Sequence, residues 1–259
     1  MKISVLTDNA PGTFTAAEHG LSYMIEHDGK RILFDTGQSD LFLKNAAIMG
    51  VDTANIDTIV LSHGHYDHGN GLRYINGGTL ICHPGCFVKR YSRRGDKYIG
   101  LYGGRNELEG KFDIISTAEP YPITKNMVFL GEIPRVTGYE SQTTSFSFED
   151  GKPDYVADDS ALALILKQGL FVVTGCGHAG VVNTLEHAAE VTGEKRIYGI
   201  MGGFHLKENN RQTKETISYL KEKEVKYVYP SHCTALPALC TFHSVFGMKQ
   251  VKTGDALEL

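Results

Sequence analysis

The hydrophobic positions of this chain fall into short runs separated by polar turns. Ile3 to Thr7 alternates and stops at Asp8, the pattern of a strand. Leu21 to Glu26 and Arg31 to Phe34 flank His27-Asp28-Gly29-Lys30, which predicts a hairpin whose glycine takes the awkward backbone angle. Ser39 or Asp40 then caps a helix that runs to Met49 and stops at Gly50. Asp57 to Ser62 holds the consecutive apolar residues Ile59, Val60 and Leu61 and reads as a buried strand.

The same order of elements returns in the second half. Ala161 to Leu166 and Leu170 to Val173 flank Lys167-Gln168-Gly169, a second hairpin. A helix follows from Val181 to about Val191, with Val181, Val182, Leu185, Ala188 and Ala189 at helical spacing. Arg196 to Met201 is the next strand, and a helix from Gln212 to about Lys223 leads to the strand Val225 to Tyr229. The stretch from about Lys89 to Asp159 departs from this plan. It mixes a basic, tyrosine-rich segment (Lys89, Arg90, Tyr91, Arg93, Arg94, Tyr98, Tyr102) with short strands near Phe112 to Ile115 and Met127 to Leu130. It reads as an insertion, about 89–159, over one edge of a single domain spanning 1–259.

Composition narrows the picture. With 259 residues, 41% hydrophobic and 22% charged, the chain suits one large globular domain and argues against disorder. Lys and Arg number 26 against 30 Asp and Glu, a net charge of −4, which disfavours nucleic-acid binding by bulk charge. The best apolar run, Ala161 to Val173, is interrupted by Lys167 and Gln168 and is too short to span a membrane. The first residues reach Asp8 too soon for a secretory segment. Five cysteines, an odd number, favour a reducing cytoplasm over a disulfide framework. The residue pattern specifies no oligomeric state.

The 11 histidines are unusual, and their placement carries the chemistry. In Ser62-His63-Gly64-His65-Tyr66-Asp67-His68-Gly69, three histidines and an aspartate follow an apolar strand within six residues. Imidazole nitrogen and carboxylate oxygen are the usual ligands of zinc, iron or manganese. His63 and His65 are two apart, so an extended backbone points both to one side, while the adjacent Asp67 and His68 diverge. One loop can therefore offer His63 and His65 to one metal, and Asp67 and His68 to a second. Gly64 and Gly69 let the backbone turn without a Cβ clash. His232 follows the strand that ends at Tyr229-Pro230, and His178 lies in the glycine-rich turn Gly175-Cys176-Gly177-His178; both are candidate ligands.

His205 ends a strand after Gly202-Gly203-Phe204. It is either a substrate contact or proton donor at the rim, or a hydrogen-bonding support. Asp35 is placed to orient a ligand histidine or the loop, since metal-bound imidazoles donate their free N–H to a carboxylate or carbonyl. Cys82 and Cys86 lack the second pair that a structural zinc needs, and Cys233 and Cys240 read as ordinary thiols. His19, His27, His187 and His243 carry no spacing argument and read as surface or satisfied core residues. The basic tyrosine cluster is a solvated face, or it covers a phosphate-bearing aromatic substrate through Arg90 and Arg93.

His63-x-His65-x-Asp67-His68 resembles the signature of the metallo-β-lactamase superfamily. Phe34-Asp35-Thr36-Gly37 is similar to its first motif and Pro230-Ser231-His232 to its last. The resemblance implies an α/β fold, a four-layer αββα sandwich with a dinuclear metal site between two sheets. In the wider superfamily an earlier histidine supplies the third nitrogen to the first metal, and an aspartate near the place of Cys176 bridges the two. Here Asp158-Asp159 stands about where that histidine is expected. His178 then takes the third-nitrogen role, and the bridge is Cys176, Asp159 or only a hydroxide. The segments Leu33 to Gln38, Asp158 to Leu162, Thr174 to Gly180, Gly202 to His205 and Tyr229 to Thr234 further resemble the branch labelled 7,8-dihydropterin-6-methyl-4-(β-D-ribofuranosyl)aminobenzene 5′-phosphate synthase.

The resulting expectation is a dinuclear metal-dependent hydrolase or transferase that uses a metal-activated hydroxide. Its metals are two divalent ions, zinc first, with iron or manganese as alternatives. Asp67 would hold the second metal and orient the hydroxide, which forms at neutral pH because metals lower the pKa of water. The expected partner is an anionic, phosphate-bearing or pterin-like small molecule, with no nucleic acid and no membrane. The rival expectation is a non-catalytic metal- or ligand-binding protein, or a di-iron redox protein. Cys176 near the site would be an oxidation liability there, and no flavodoxin-like stretch stands in the sequence.

Overall fold

A computed structural model describes residues 1–54 and 56–259. The chain begins β1 (Lys2–Thr7), β2 (Ser22–His27), β3 (Lys30–Phe34), α1 (Leu41–Met49), β4 (Thr58–Val60) and α2 (Tyr66–Gly69). Next come β5 (Thr79–Cys82), β6 (Arg90–Ser92), β7 (Lys97–Tyr98), α3 (Arg105–Glu109), β8 (Asp113–Ser116), β9 (Tyr121–Thr124), β10 (Met127–Phe129), β11 (Phe146–Phe148) and β12 (Pro153–Asp154). The remainder is β13 (Ala161–Leu166), β14 (Gly169–Thr174), α4 (Val181–Thr192), β15 (Ile197–Gly203), α5 (Arg211–Glu222), β16 (Tyr227–Ser231), α6 (Leu236–Phe246) and β17 (Ala256–Glu258).

Both expected hairpins form, with His27 opposite Lys30 and Leu166 opposite Gly169. At the head of α1 the Ser39 hydroxyl accepts the Leu41 N–H at 3.1 Å, while the Asp40 carboxylate instead takes Lys44 at 2.9 Å. Gly50 closes that helix in the left-handed conformation.

Two large sheets stack face to face. The first has the order β17-β1-β2-β3-β4-β5-β8 and the second β16-β15-β14-β13-β10-β9. Strand alternation decides which residues meet. Ile25, Ile32 and Phe34 of the first sheet pack against Leu162, Leu164, Phe171 and Val173 of the second. Their neighbours in sequence point outward. Leu33, Ile59 and Leu80 meet Phe42 and Ala46 of α1, and Ala163 and Val172 meet Leu185 of α4, Leu220 of α5 and Phe242 of α6. The layers are therefore α, β, β, α. Phe171 is fully buried between the sheets, so truncation to alanine would cost about 3–5 kcal/mol.

The stretch read as an insertion divides. Its strands β8, β9 and β10 complete the edges of the two main sheets. Only β6, β7, β11 and β12 form an added layer, a third sheet of order β12-β11-β6-β7, assembled from two separated pieces of chain. That small sheet is tied to the loop after β4. His65 bridges to Gly100, and the Tyr66 N–H donates to the Ile99 carbonyl at 3.0 Å.

Candidate metal centre

β3, β4 and β5 run parallel in the first sheet, as do β14, β15 and β16 in the second. The carboxyl ends of parallel strands form the crevice where such folds place ligands. Asp35 follows β3, His63 follows β4, Cys176 and His178 follow β14, His205 follows β15, and His232 follows β16. Three of these residues sit in the left-handed backbone region, Asp35 at φ 56°, His205 at 49° and His232 at 48°. A non-glycine residue held there is strained, at a cost of order 1–3 kcal/mol. Gly64 and Gly175 are needed for space. A Cβ on Gly64 would collide with the Cys86 carbonyl, and one on Gly175 with Ser62.

Asp35 organises the first half of the site. Its Oδ1 accepts the Ser62 N–H at 2.7 Å, and its Oδ2 accepts the Ser62 hydroxyl and the His68 Nδ1–H, each at 2.7 Å. The Ser62 hydroxyl proton is thereby committed, so at 2.9 Å from His63 Nδ1 its oxygen accepts. His63 is left with an Nε2 lone pair, which lies 2.9 Å from His65 Nδ1. His68 Nε2 lies 3.1 Å from His232 Nε2 and 3.3 Å from Cys176 Sγ, and Asp67 Oδ2 lies 3.4 Å from His232 Nε2.

These donors form overlapping groups, each with ligand atoms within 4.8 Å of one another. The groups are His63, His65 and His178; His63, His68 and Cys176; Cys176, His232 and Cys233; and His19, Asp67 and His232. A metal about 2.0–2.3 Å from each nitrogen or sulfur needs that spacing. The fit to metal rests on a further observation. His65 Nε2 and His178 Nε2 are buried with no hydrogen-bond partner. An unsatisfied buried nitrogen costs roughly 1–3 kcal/mol, a penalty that a bound cation would remove.

The electrostatics agree with that fit. Burial, reinforced by neighbouring histidines, holds His63 and His178 well below the ordinary imidazole range, and burial with Arg90 nearby brings His65 down to about 3. All three are neutral at pH 7; the His63 lone pair accepts from His65 Nδ1–H at 2.9 Å, while the Nε2 atoms of His65 and His178 have no partner. Burial opposes ionisation of Asp67, yet His68, His19 and His232 outweigh it and keep the carboxylate well below its usual value. Burial likewise opposes a charge on His68, but Asp35 and Asp67 raise it to about 9. A cation binding at His68 must therefore displace a proton.

Several sequence readings change. Arg90 is not on the pocket surface. It is 1% exposed, with Nη2 2.8 Å from Asp158 Oδ1 and Nε 3.4 Å from Asp154 Oδ2. Its charge is consumed inside the protein, because a buried guanidinium needs paired carboxylates. Arg93 is exposed and lines neither site cavity, whereas Arg94 lines the larger one. Asp158 accepts the Gly64 N–H at 2.8 Å and so backs the metal loop. Asp159 accepts the Ala179 N–H at 2.9 Å, is pushed up to about 7 by burial, and stands outside the donor groups.

Two residues passed over in the sequence stand at the centre. His19 Nε2 lies 3.1 Å from Asp67 Oδ2, and its ring stacks on His232 at 5.3 Å. Cys233 shares a donor group with Cys176 and donates to the Cys176 carbonyl at 3.2 Å. Burial opposes its ionisation, but Cys176, His232, His205 and Lys207 push the thiol well below its ordinary value. The sequence signals were adjacency alone: Cys233 follows His232, and His19 precedes the hairpin β2–β3 that leads to Asp35.

Above the donors lies a cavity of about 280 Å³, lined among others by His19, Asp67, Lys97, Cys176 and His232. It shares Ser92, Phe146, His178, His205 and Lys207 with a neighbouring cavity of about 660 Å³, whose wall adds Arg94, Tyr139, Asn210 and Gln212. Phe146, from the third sheet, sets its ring 4.9 Å from His65 and 5.5 Å from His178. His205 packs 4.3 Å from His178, at the junction of the two cavities. A separate cavity of about 410 Å³, lined by Glu186, His187, Lys195 and Lys223 among others, contains none of the donors. No helix among the described residues is long and apolar enough to cross a membrane.

Known proteins share this architecture. The family pattern of the metallo-beta-lactamase superfamily matches residues 16–79. Protein MJ0448 of Methanocaldococcus jannaschii is 35% identical over 246 residues, 92% of each chain. From the same organism, a protein named 7,8-dihydropterin-6-methyl-4-(beta-D-ribofuranosyl)-aminobenzene-5'-phosphate synthase is 30% identical over 253 residues, 89% of this chain and 85% of that one. The crystal structure of Tm1679, described as a metal-dependent hydrolase of the beta-lactamase superfamily, superposes with a TM-score of 0.89. It is 33% identical and covers 100% of this chain and 99% of its own. Family pattern, full-length relatives and superposed fold agree with the donor loop and the αββα layers: the chain belongs to the metallo-beta-lactamase superfamily.

Proposed function

We propose that this protein is a dinuclear metal-dependent hydrolase or transferase acting on a small, anionic, phosphate-bearing molecule. The observation that carries this reading is the continuous donor array from His178 through His63, His68 and Cys176 to His232 and Asp67, opening into a cavity that bears Lys97 and Lys207. His63, His65 and His178 would hold one metal. Asp67, His68 and His232 would hold the second, with Cys176 between them. The mixture of imidazole, carboxylate and thiol suits zinc first, with iron or manganese as the alternatives. Two metals bound there would supply an acidified water as nucleophile and would polarise the group attacked.

The protein's own side chains do the rest. Asp67 orients the attacking water, and His205, at the junction of the two cavities, serves the leaving oxygen as proton donor. Lys207 and Arg94 receive phosphate oxygens, and Phe146 walls off bulk water. The relative named as a synthase has a dihydropterin and a 5'-phosphate in its name. A flat ring with a phosphate tail suits a large cavity lined by Phe146, Tyr139 and Tyr155 beside two cations.

The test is elemental analysis of the purified protein, followed by a panel of phosphomonoesters, phosphodiesters, diphosphates and lactones. One to two equivalents of transition metal and turnover of a phosphorylated substrate are expected. A metal-free preparation with full activity would overturn the reading.

A further inference from the structure

Two histidines, His19 and His232, both bring a ring nitrogen to Asp67, at 3.1 and 3.4 Å, so by distance either could be a metal ligand there. Asn9 distinguishes them. Its side-chain amide is fixed from two sides by backbone groups: Oδ1 accepts the Gly20 N–H at 3.2 Å, and Nδ2 donates to the His232 carbonyl at 3.0 Å. Both contacts require the same orientation of the amide, because an N–H cannot be given to Nδ2 and a carbonyl cannot donate to Oδ1.

With the amide so oriented, each histidine is left with one tautomer. Asn9 Oδ1 lies 3.0 Å from His232 Nδ1, and an oxygen can only accept, so His232 carries its proton on Nδ1. Its Nε2 lone pair then faces Asp67 and His68. Asn9 Nδ2 lies 3.2 Å from His19 Nδ1, and a nitrogen bearing two protons can only donate. His19 therefore carries its proton on Nε2 and directs it at Asp67 Oδ2.

We propose that Asn9 is a positioning residue that sorts the two histidines, making His232 a metal ligand and His19 a hydrogen-bond donor to Asp67 that binds no metal. The neighbouring Asp8 supports this arrangement. It accepts the His232 backbone N–H at 3.2 Å and the Tyr23 hydroxyl at 3.2 Å, holding the left-handed turn at His232 against Asn9. His19 is half-exposed, so its donation also ties the solvent-facing rim to the carboxylate. The assignment rests on the dinuclear reading only for what His232 would bind; the tautomers stand without it.

The test combines long-range proton–nitrogen spectra of protein labelled with ¹⁵N-histidine and titration with Zn²⁺. In metal-free protein His232 should show the Nδ1–H tautomer and His19 the Nε2–H tautomer. On adding Zn²⁺, His232 Nε2 should shift and neither nitrogen of His19 should. Asn9→Asp keeps an acceptor for His232 and should retain zinc affinity close to that of the parent. Asn9→Leu should weaken the second equivalent roughly 10–100-fold while the first holds. His19→Gln should still bind both. A zinc-induced shift at His19, loss of the second equivalent in His19→Gln, or the opposite tautomers in metal-free protein would each overturn the assignment. Binding of a single zinc by the parent, with the tautomers as stated, would instead count against the dinuclear reading alone.

Discussion

Arg90 and Asp158 meet at 2.8 Å in the interior, and the other oxygen of Asp158 holds the Gly64 N–H between two candidate ligands. The guanidinium of the added sheet thus supports the metal loop through a single carboxylate. Removing it by Arg90→Ala strands that carboxylate and the nearby Asp154. The expected loss is about 3–5 kcal/mol of stability, accompanied by lower metal occupancy. Urea unfolding and elemental analysis check this. A folded variant with normal metal and only a raised KM would return Arg90 to a substrate role.

The same pair sets an acid dependence. Burial alone would raise Asp158, but Arg90 and the Gly64 N–H bring it below the ordinary carboxylate value. A carboxylate with a depressed folded pKa contributes stability above its unfolded pKa, and that contribution disappears as pH falls through the folded value. Asp158→Asn should therefore be less stable at neutral pH and show a flatter acid limb below the usual carboxylate range. Denaturant melts between neutral and strongly acidic pH measure the difference in slope.

Metal removal should leave a folded but weaker protein, because the two sheets bury their cores without the donors. Restoring zinc at about 100 times its Kd should return about 2.7 kcal/mol by mass action. Thermal melts of chelated and reloaded protein read this directly. His178→Ala should lose most of that gain, since it removes one of the two buried, unpartnered ring nitrogens of the donor groups.

Cys176 and the Cys82–Cys86 pair should behave oppositely. Cys176 Sγ stands 3.3 Å from His68 Nε2, so Cys176→Ser should lower metal affinity by at least about tenfold. Cys82 and Cys86 lie in the outer core beneath the first sheet, and serine there should reduce stability with no change in metal content.

The proposed substrate contacts are Lys207 and Arg94, which line the larger cavity, in place of Arg90 and Arg93. Lys207→Ala and Arg94→Glu should raise KM for a phosphorylated substrate while metal content holds, the pattern of lost uniform binding. Arg93→Glu should leave KM nearly unchanged. Equal effects at Arg93 and Arg94 would show that the field of the whole segment matters more than the contact.

The loop of candidate donors was legible because those residues are neighbours in sequence. The two-residue spacing of His63 and His65 and the apolar run before them specify geometry locally. The two-sheet plan was legible for the same reason, since alternation within β13 and β14 assigns Leu162 and Leu164 to one face and Ala163 to the other. His19 was not, because its distance to Asp67 is created by a loop folding back across nearly fifty positions. Arg90 misled for a related reason. A basic residue among tyrosines looks solvent-facing until Asp154 and Asp158, more than sixty residues later, close over it.

The left-handed backbone at Asp35, His205 and His232 has a consequence for engineering. At Asp35 and His232 glycine would forfeit the side-chain hydrogen bonds to Ser62, His68 and Asn9, whereas at His205 it would relax the backbone and recover some of the roughly 1–3 kcal/mol stored there, less the chain freedom glycine adds on unfolding. The replacement at His205 would also delete a side chain at the junction of the two cavities. A variant library ranked by heat resistance alone would thus be steered toward His205, where relief of strain and loss of a proposed functional side chain coincide. Selecting for a tougher protein without a metal or activity readout would hollow out its own site.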